Sequence, residues 1–320
     1  MVQTLRRRIM TSVLIGVAVV AVLGLVSDIG QVGASLSSFA WQSIPAVLGF
    51  TALNYLLRWL KWDMYLRHIG AGTGVSRFDS GLLFCAGMVM AVTPGKVGEV
   101  LKSYLLRRIN GTAVSISAPI VFAERMTDGI AMLLLMAVGL TLYPPAAPLF
   151  YLLVVVTIVG IVALQSDALV SRVLLLLDKT RFAAPLRNAY QSSKALLGWR
   201  MLVTSTLLSI ISWFFECIAF VYVLQGLGIA PTWLILQQST FIFAASTLFG
   251  LVSLIPGGLG VSEASSTGLL VWMIPMSQAA ATAATLVIRF GTLWFGVALG
   301  MVTLAWFNRR YPEHSEGEAA

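Results

Sequence analysis

Charged side chains occur at matching positions in two halves of an otherwise apolar chain. Glu99 is followed by Arg125 and Glu263 by Arg289, so both halves have a Glu-to-Arg spacing of 26 residues (99 to 125, 263 to 289). A charge inside a bilayer costs about 2.5–3.5 kcal/mol on insertion scales and marks a substrate pathway by default. Because a guanidinium binds phosphate oxygens in a bidentate manner, the spacing predicts a duplicated site for an anionic group.

Each glutamate lies just after a proline–glycine break in hydrophobic sequence. Proline removes a backbone donor and glycine adds backbone freedom, so apolar helices are expected to stop there. The pieces on either side of each break predict two re-entrant hairpins, made of residues 80–93 with 97–106 and of 233–255 with 260–272. The helices that begin after the breaks would present free N–H donors to an anion. The predicted hinge residues are Pro94, Gly95, Gly98, Pro256, Gly257, Gly258 and Gly260.

Six charged residues in and after the breaks are the substrate-binding candidates: Lys96, Glu99, Arg125, Asp128, Glu263 and Arg289. Asp128 shares a helix face with Glu124, four residues earlier, and is placed to hold Arg125 or to titrate during transport. Arg289 has no acidic neighbour in sequence, so its partner is either Glu263 or a phosphate of the ligand. A structural role, in which the two Glu–Arg pairs hold hairpin to helix, is the alternative and is compatible with binding.

Other polar groups within apolar segments each have two alternative roles. Glu216 is either a hydrogen-bonded strut, which we favour, or a proton-linked site. Arg58, Lys61 and Trp62 end an apolar run beyond Asn54. They are expected either to bind headgroups at the cytoplasmic face or, more commonly, to anchor the helix by snorkelling.

The composition predicts an all-α polytopic membrane protein. The chain of 320 residues is 58% hydrophobic and 11% charged, with a mean hydropathy of +0.89. Its apolar runs are too long and unbroken for the alternating strands of a membrane barrel. The net charge of +8 follows from basic residues in short connections and at the ends, so it indicates membrane topology and not nucleic-acid binding.

The few cysteine and histidine residues argue against a metal site or a disulfide framework. Cys85 and Cys217 both lie in apolar segments, while His68 and His314 lie in a connection and in the tail. With no nucleophile motif either, no catalytic residue, metal or cofactor is predicted.

Six spans are expected, in addition to the two hairpins. Four connections contain no lysine or arginine, at residues 28–40, 143–147, 226–232 and 273–278, and all fall on the same predicted side. The positive-inside rule therefore places both termini in the cytoplasm. The predicted spans are 11–27, 41–66, 117–142, 148–164, 201–224 and 279–307.

In this topology the span before the first hairpin ends inside and the span before the second ends outside. The two hairpins therefore enter the membrane from opposite faces, which is the pattern of an inverted repeat. Such repeats commonly place a substrate site between the hairpins near the midplane. We therefore expect one transmembrane domain over residues 1–320. Its parts are a first helix and outer loop (1–40), repeat 1 (41–142), a linking helix and basic cytoplasmic connection (143–200), repeat 2 (201–307) and a cytoplasmic tail (308–320).

These motifs together resemble a known family over nearly the whole chain. They are Arg58-Trp59 and Lys61-Trp62, the run 93–99, Glu124-Arg125-x-x-Asp128, and the run 255–260 with Glu263. The chain is similar to the flippase-like family typified by the transmembrane region of lysylphosphatidylglycerol synthases. The resemblance implies a membrane-embedded domain that moves lipids between leaflets. Since the soluble aminoacyl-transfer domain of the full synthases does not follow, synthase activity is not expected.

The leading hypothesis is a lipid flippase or scramblase-like transporter of the plasma or inner membrane. Its partner would be an anionic phospholipid, an aminoacylated phospholipid or an isoprenoid phosphate, and the protein could form a homo-oligomer. An intramembrane transferase acting on lipid-linked substrates is the second hypothesis. The third is a non-catalytic accessory subunit of a lipid-modifying enzyme.

Overall fold

The structure is a computed structural model that describes residues 28–93, 98–166 and 183–312. All regular structure in these ranges is helical, as the composition predicted. The α-helices are α1 (Ile29–Ser37), α2 (Ile44–His68), α3 (Arg77–Gly87), α4 (Leu101–Asn110), α5 (Val114–Val138), α6 (Ala147–Gln165), α7 (Ala183–Leu196), α8 (Trp199–Gly226), α9 (Trp233–Val252), α10 (Val261–Met273), α11 (Gln278–Arg289) and α12 (Phe295–Arg310).

Four segments are long and apolar enough to cross a membrane: Pro144–Gln165, Trp199–Gly226, Trp233–Val252 and Gln278–Arg310. A fifth is obtained if α1 and the segment Trp41–His68, which meet at a bend of 68°, are counted as one span. Helix α5 has 25 residues, a sufficient length, but its middle carries Glu124, Arg125 and Asp128. The first predicted span, 11–27, lies outside the described residues, so the count of six stays a prediction.

Two segments expected to be irregular contain helices. The outer connection 28–40 includes α1, whose first turn is capped by the Asp28 carboxylate accepting from the Gly30 N–H at 3.0 Å. Val32 on α1 packs against α11, and this tertiary contact gives a short segment the stability that it lacks alone. The basic connection 165–200 likewise contains α7, which packs on α5.

The helix boundaries follow local capping chemistry. Ser76, Thr232 and Ser277 precede α3, α9 and α11, and each side-chain oxygen accepts a backbone N–H of the first turn. Such caps satisfy donors that would otherwise be left without partners. Helix α4 ends at Gly111 in the left-handed region, with a φ of 76°, which glycine tolerates without cost from a side chain.

The helices pack into one assembly around α2, α5 and α8. Helix α8 lies along α2 and also contacts α5, while α12 covers α3. Helix α9 packs on α10, which packs on α11. One buried apolar cluster contains Phe220 and Phe241, and another contains Trp62, Phe84 and Phe307. The α2–α5–α8 contact brings polar faces of three helices together in the interior.

Both predicted breaks interrupt helices in the structure. Helix α3 continues as a 3-10 turn, Met88–Met90, and helical structure resumes at Gly98 before α4. Gly98 donates its N–H to the Thr93 hydroxyl at 2.8 Å, and a Cβ on Gly98 would lie 2.6 Å from that side chain. Pro94 and Gly95 lie outside the described residues.

The second break is a run of left-handed glycines between α9 and α10. The 3-10 turn Pro256–Gly258 and the residues after it place Gly257, Gly258 and Gly260 at φ values of 63°, 66° and 87°. A Cβ on Gly258 would also lie 2.9 Å from the Cα of Gly250. Glycine is therefore required here by both conformation and space. The opposed orientation of the two hairpins stays a prediction.

Candidate functional site

The second break meets the segment that leads into the first break, and we call this meeting point the contact between the breaks. A Cβ built on Gly257, in the second break, would lie 3.3 Å from the Cα of Val92, two residues before Pro94. Segments about 160 residues apart in sequence are thus in van der Waals contact. The charged residues that follow the breaks are gathered around this contact.

In the second half, Arg289 binds both the break and the helix that follows it. Its Nε donates to the Glu263 carboxylate at 2.5 Å, and its Nη2 donates to the Gly257 carbonyl at 2.8 Å. The other oxygen of Glu263 accepts the Gly260 N–H at 2.7 Å. Of the two partners considered for Arg289, the structure shows Glu263. The arginine keeps further N–H donors beyond these two bonds.

In the first half, the corresponding pair belongs to a larger ion network. Arg125 lies 3.4 Å from Glu99 and 3.1 Å from Asp128, measured from its Nη2 to the carboxylate oxygens. Lys102 lies 2.5 Å from Glu124 and 3.6 Å from Glu99. The two halves therefore share a Glu–Arg pair, while only the first adds a buried lysine and two further acids from α5.

Lys61 completes this network from α2. Its Nζ lies 2.6 Å from Asp128 and 2.6 Å from the Ser209 hydroxyl, which in turn donates to Asp128 at 2.9 Å. Lys61 is 1% exposed and Trp62 is fully buried. The expectation that Lys61 and Trp62 anchor α2 at the membrane surface or bind headgroups there is therefore wrong, because α5 and α8 cover this part of α2 and both side chains are buried in the protein. Arg58, on the same helix, lies on the wall of a cavity.

Sequence analysis did not single out Lys102, although it is as buried as Lys61. Its ammonium lies 4.5 Å from the ring centroid of Trp62 and 5.4 Å from that of Phe84, distances at which a cation is attracted by the ring. Its aliphatic stem passes over Gly87, where a Cβ would overlap it. The signal that was available is the acid pair Glu124 and Asp128 on one helix face, which needs more cations than Arg125 alone supplies.

Two cavities adjoin the contact between the breaks. The first has a volume of about 90 Å³, and its charged walls are Arg58, Glu99, Lys102, Glu216 and Arg289. The second, of about 70 Å³, is lined by Arg125, Asp128, Arg289 and the glycines Gly257 and Gly258 of the second break. Arg289 and Thr247 line both, so the cavities are neighbours that meet at this arginine.

Glu216 lies on the wall of the first cavity. The Thr51 hydroxyl donates to its carboxylate at 3.3 Å, in keeping with the hydrogen-bonded strut that the sequence favoured. Within residues 28–93, 98–166 and 183–312, no cluster of three or more histidine, cysteine or acidic side chains is placed to hold a metal ion.

Four of the six predicted substrate-binding residues line the two cavities, namely Glu99, Arg125, Asp128 and Arg289, and a fifth, Glu263, is bonded to Arg289. The first three belong to one ion network and the last two form the pair at the second break. Lys96 lies outside the described residues. A substrate-binding role for all six stays a prediction, since the same contacts also join hairpin to helix.

The comparison with known protein families decides the relationship. The family model for the transmembrane region of lysylphosphatidylglycerol synthases matches residues 13–300. The chain belongs to this family. It is accordingly a multi-pass membrane protein, and the resemblance drawn from its motifs is confirmed.

A curated relative from Methanothermobacter thermautotrophicus, described as a UPF0104 membrane protein, is 33% identical over 97 residues. The aligned part is 30% of this chain and 28% of that relative. The chain thus matches less than a third of the relative's length.

Proposed function

We propose that the protein moves a lipid with an anionic headgroup between the two leaflets of the membrane, as a flippase or scramblase-like transporter. The observation that carries the proposal is the pair of cavities at the contact between the breaks, with Arg289 facing both. A headgroup that crosses the hydrocarbon loses its water, at a cost that only replacement polar partners offset. Cations held in a protein-lined cavity supply such partners for a phosphate.

Arg289 is suited to exchange partners during this movement. It is held by one carboxylate, Glu263, and one carbonyl, that of Gly257. A phosphate reaching the cavity would compete with Glu263 for the guanidinium, because both are oxyanions that accept the same fork of donors. Glu263 keeps an alternative bond to the Gly260 N–H, so it would stay oriented after the exchange.

The two breaks would provide access from opposite sides of the membrane. In this proposal the hairpins form an inverted repeat whose members open in turn, with both termini in the cytoplasm and the cavities near the midplane. The left-handed glycines of the second break and the tight Gly98 turn of the first supply backbone positions at which such opening can occur. The membrane would be the plasma or inner membrane.

The cargo would be an anionic phospholipid, an aminoacylated phospholipid or an isoprenoid phosphate. All three carry a phosphate that fits the guanidinium groups of Arg125 and Arg289. Asp128 and Glu99 would keep Arg125 oriented while it receives the phosphate, as Glu263 does for Arg289. Lys96, which follows the first break directly, would add a further positive charge.

The test is headgroup translocation in reconstituted vesicles. A fluorescent phosphatidylglycerol that is chemically quenched in the outer leaflet reports the fraction that has crossed. We expect Arg289→Ala to abolish translocation and Arg309→Ala, which removes an exposed charge at the end of α12, to leave it unchanged. Unaltered translocation by a folded Arg289→Ala protein would remove this residue from the mechanism. No translocation by the wild-type protein across the three lipid classes would remove the proposed function.

A further inference from the structure

Arg58 is a buried cation with no carboxylate within ion-pair distance among the described residues. Its side chain leaves α2 and lies on the wall of the first cavity, and the residue is 8% exposed. In the part of the chain that the structure describes, no carboxylate pairs with it, and its buried Nε has no hydrogen-bond acceptor. Its neighbours are two aromatic rings, with Trp213 at 5.2 Å and Phe84 at 5.9 Å from guanidinium carbon to ring centroid.

The other cations around the cavities are each bound to a carboxylate. Lys61 is bound to Asp128, Lys102 to Glu124, and Arg289 to Glu263. Arg125 has two acids within ion-pair distance. Each of these four cations therefore has a carboxylate within ion-pair distance, whereas Arg58 has none among the described residues, although a buried charge is ordinarily neutralised by a partner.

The aromatic contacts hold the guanidinium but do not replace an anion. A ring face attracts a cation without accepting a directed N–H···O bond. The two ring contacts also restrict where the side chain can lie, and they leave its fork of donors available to a bidentate oxyanion. The partner that is missing is therefore a group with at least two oxygens and a negative charge, reached through the cavity that Arg58 lines.

We propose that Arg58, which lies against the rings of Trp213 and Phe84, is the residue that receives the phosphate of the transported headgroup in the first cavity. This rests on the proposed function and adds to it a position that the repeated Glu–Arg pairs do not include. Arg289 lines the same cavity and also the second one. A phosphate leaving Arg58 therefore meets Arg289 as the next guanidinium on the way to Arg125.

The experiment is a binding titration of the detergent-purified full chain, followed by thermal unfolding. The probes are dihexanoyl phosphatidylglycerol, glycerol 1-phosphate and inorganic phosphate. The variants are Arg58→Gln, Arg58→Lys and the exposed control Arg309→Gln. Loss of a charge-assisted bidentate contact predicts that Arg58→Gln binds the lipid roughly tenfold more weakly or worse, while the control matches the wild-type protein.

The ligand-free unfolding midpoint separates a receptor from a structural residue. If Arg58 waits for a ligand, removing its uncompensated charge leaves the midpoint of Arg58→Gln at or above that of the wild-type protein. If Arg58 only packs between the rings, the midpoint falls and the affinity for the lipid is unchanged, which would overturn the proposal. Should Arg58→Gln not fold, Arg58→Lys decides: wild-type affinity overturns the bidentate site, and a roughly tenfold loss supports it.

The three probes identify the source of the phosphate. If only the lipid binds in a way that depends on Arg58, the ligand of this site is a lipid headgroup. If inorganic phosphate binds equally well and also depends on Arg58, the ligand is a soluble anion. Arg58-dependent binding by a wild-type protein that translocates no lipid would leave this site standing and remove the transport function. If Arg58→Gln translocates lipid at the wild-type rate and binds it with wild-type affinity, the transport function stands and Arg58 is not the phosphate site.

Discussion

Replacing Asp128 by asparagine tests whether the buried network holds the helices together. Asp128 is 5% exposed and lies 2.6 Å from Lys61 on α2 and 3.1 Å from Arg125 on its own helix. The Asp128→Asn change keeps the shape of the side chain and removes its charge. Lys61 would then be a buried ammonium without a counter-charge. Breaking a buried pair in this way typically costs about 3–5 kcal/mol.

The control is Asp63→Asn, which removes an acid from α2 whose partner is accessible. Arg67, the partner of Asp63 at 2.8 Å, has a side chain that is 43% exposed. A pair of this kind contributes about 1 kcal/mol or less. Unfolding in mixed micelles with increasing denaturing detergent, followed by tryptophan fluorescence, should therefore show a much larger loss for Asp128→Asn than for Asp63→Asn.

The double variant Lys61→Met with Asp128→Leu sharpens the comparison. Replacing both members of a buried pair by apolar groups is often nearly neutral, whereas removing one is not. We expect the double variant to recover most of the stability that Asp128→Asn loses. Equal, small effects of Asp128→Asn and Asp63→Asn would instead show that the burial of Lys61 does not depend on the charge of Asp128.

Three further variants test single features of the site, by the same unfolding measurement unless stated. Ser209→Ala removes a hydroxyl that joins Lys61 and Asp128 and should cost about 1–3 kcal/mol, less than Asp128→Asn; a neutral result would contradict the bridge. Gly258→Ala should cost at least about 2 kcal/mol because of its left-handed φ and the nearby Gly250 backbone. Gly160→Ala, with open space around its Cα, should leave the stability unchanged. Equal losses of stability for Gly258→Ala and Gly160→Ala would show that the second break does not require glycine at position 258. Glu263→Gln weakens the bond to Arg289 and should slow lipid translocation in vesicles; a rate equal to that of the wild-type protein would mean that the pair does not orient the arginine.

The breaks and the Glu–Arg pairs were predictable because both signals are local or repeated. Proline and left-handed glycine stop a helix whatever surrounds it, as Gly257 and Gly258 show. The equal spacing in the two halves then pointed to Glu263 as a partner of Arg289. A charge within an apolar run needs a counter-charge, so few candidates remained.

The roles of Arg58, Lys61 and Lys102 depended on contacts that the sequence does not encode locally. A cation near the end of an apolar run has the same sequence pattern whether it reaches the membrane surface or points inward. For Lys61 the deciding partners are 67 and 148 residues away, at Asp128 and Ser209. Helix α1 was missed for a similar reason, since nine residues form a stable helix here only with α11 beside them.

If the protein moves lipid as proposed, the headgroup passes through the cavities at the contact between the breaks. The most direct measurement is translocation after the cavity has been filled chemically. In a protein with Cys85 and Cys217 replaced by serine, Thr247→Cys places a thiol on the wall that both cavities share. Ala230→Cys places a control thiol in the exposed connection between α8 and α9. We predict that a bulky maleimide on Thr247→Cys stops headgroup translocation and that the same label on Ala230→Cys has no effect. Undiminished translocation by the fully labelled Thr247→Cys protein would show that the headgroup does not pass through these cavities.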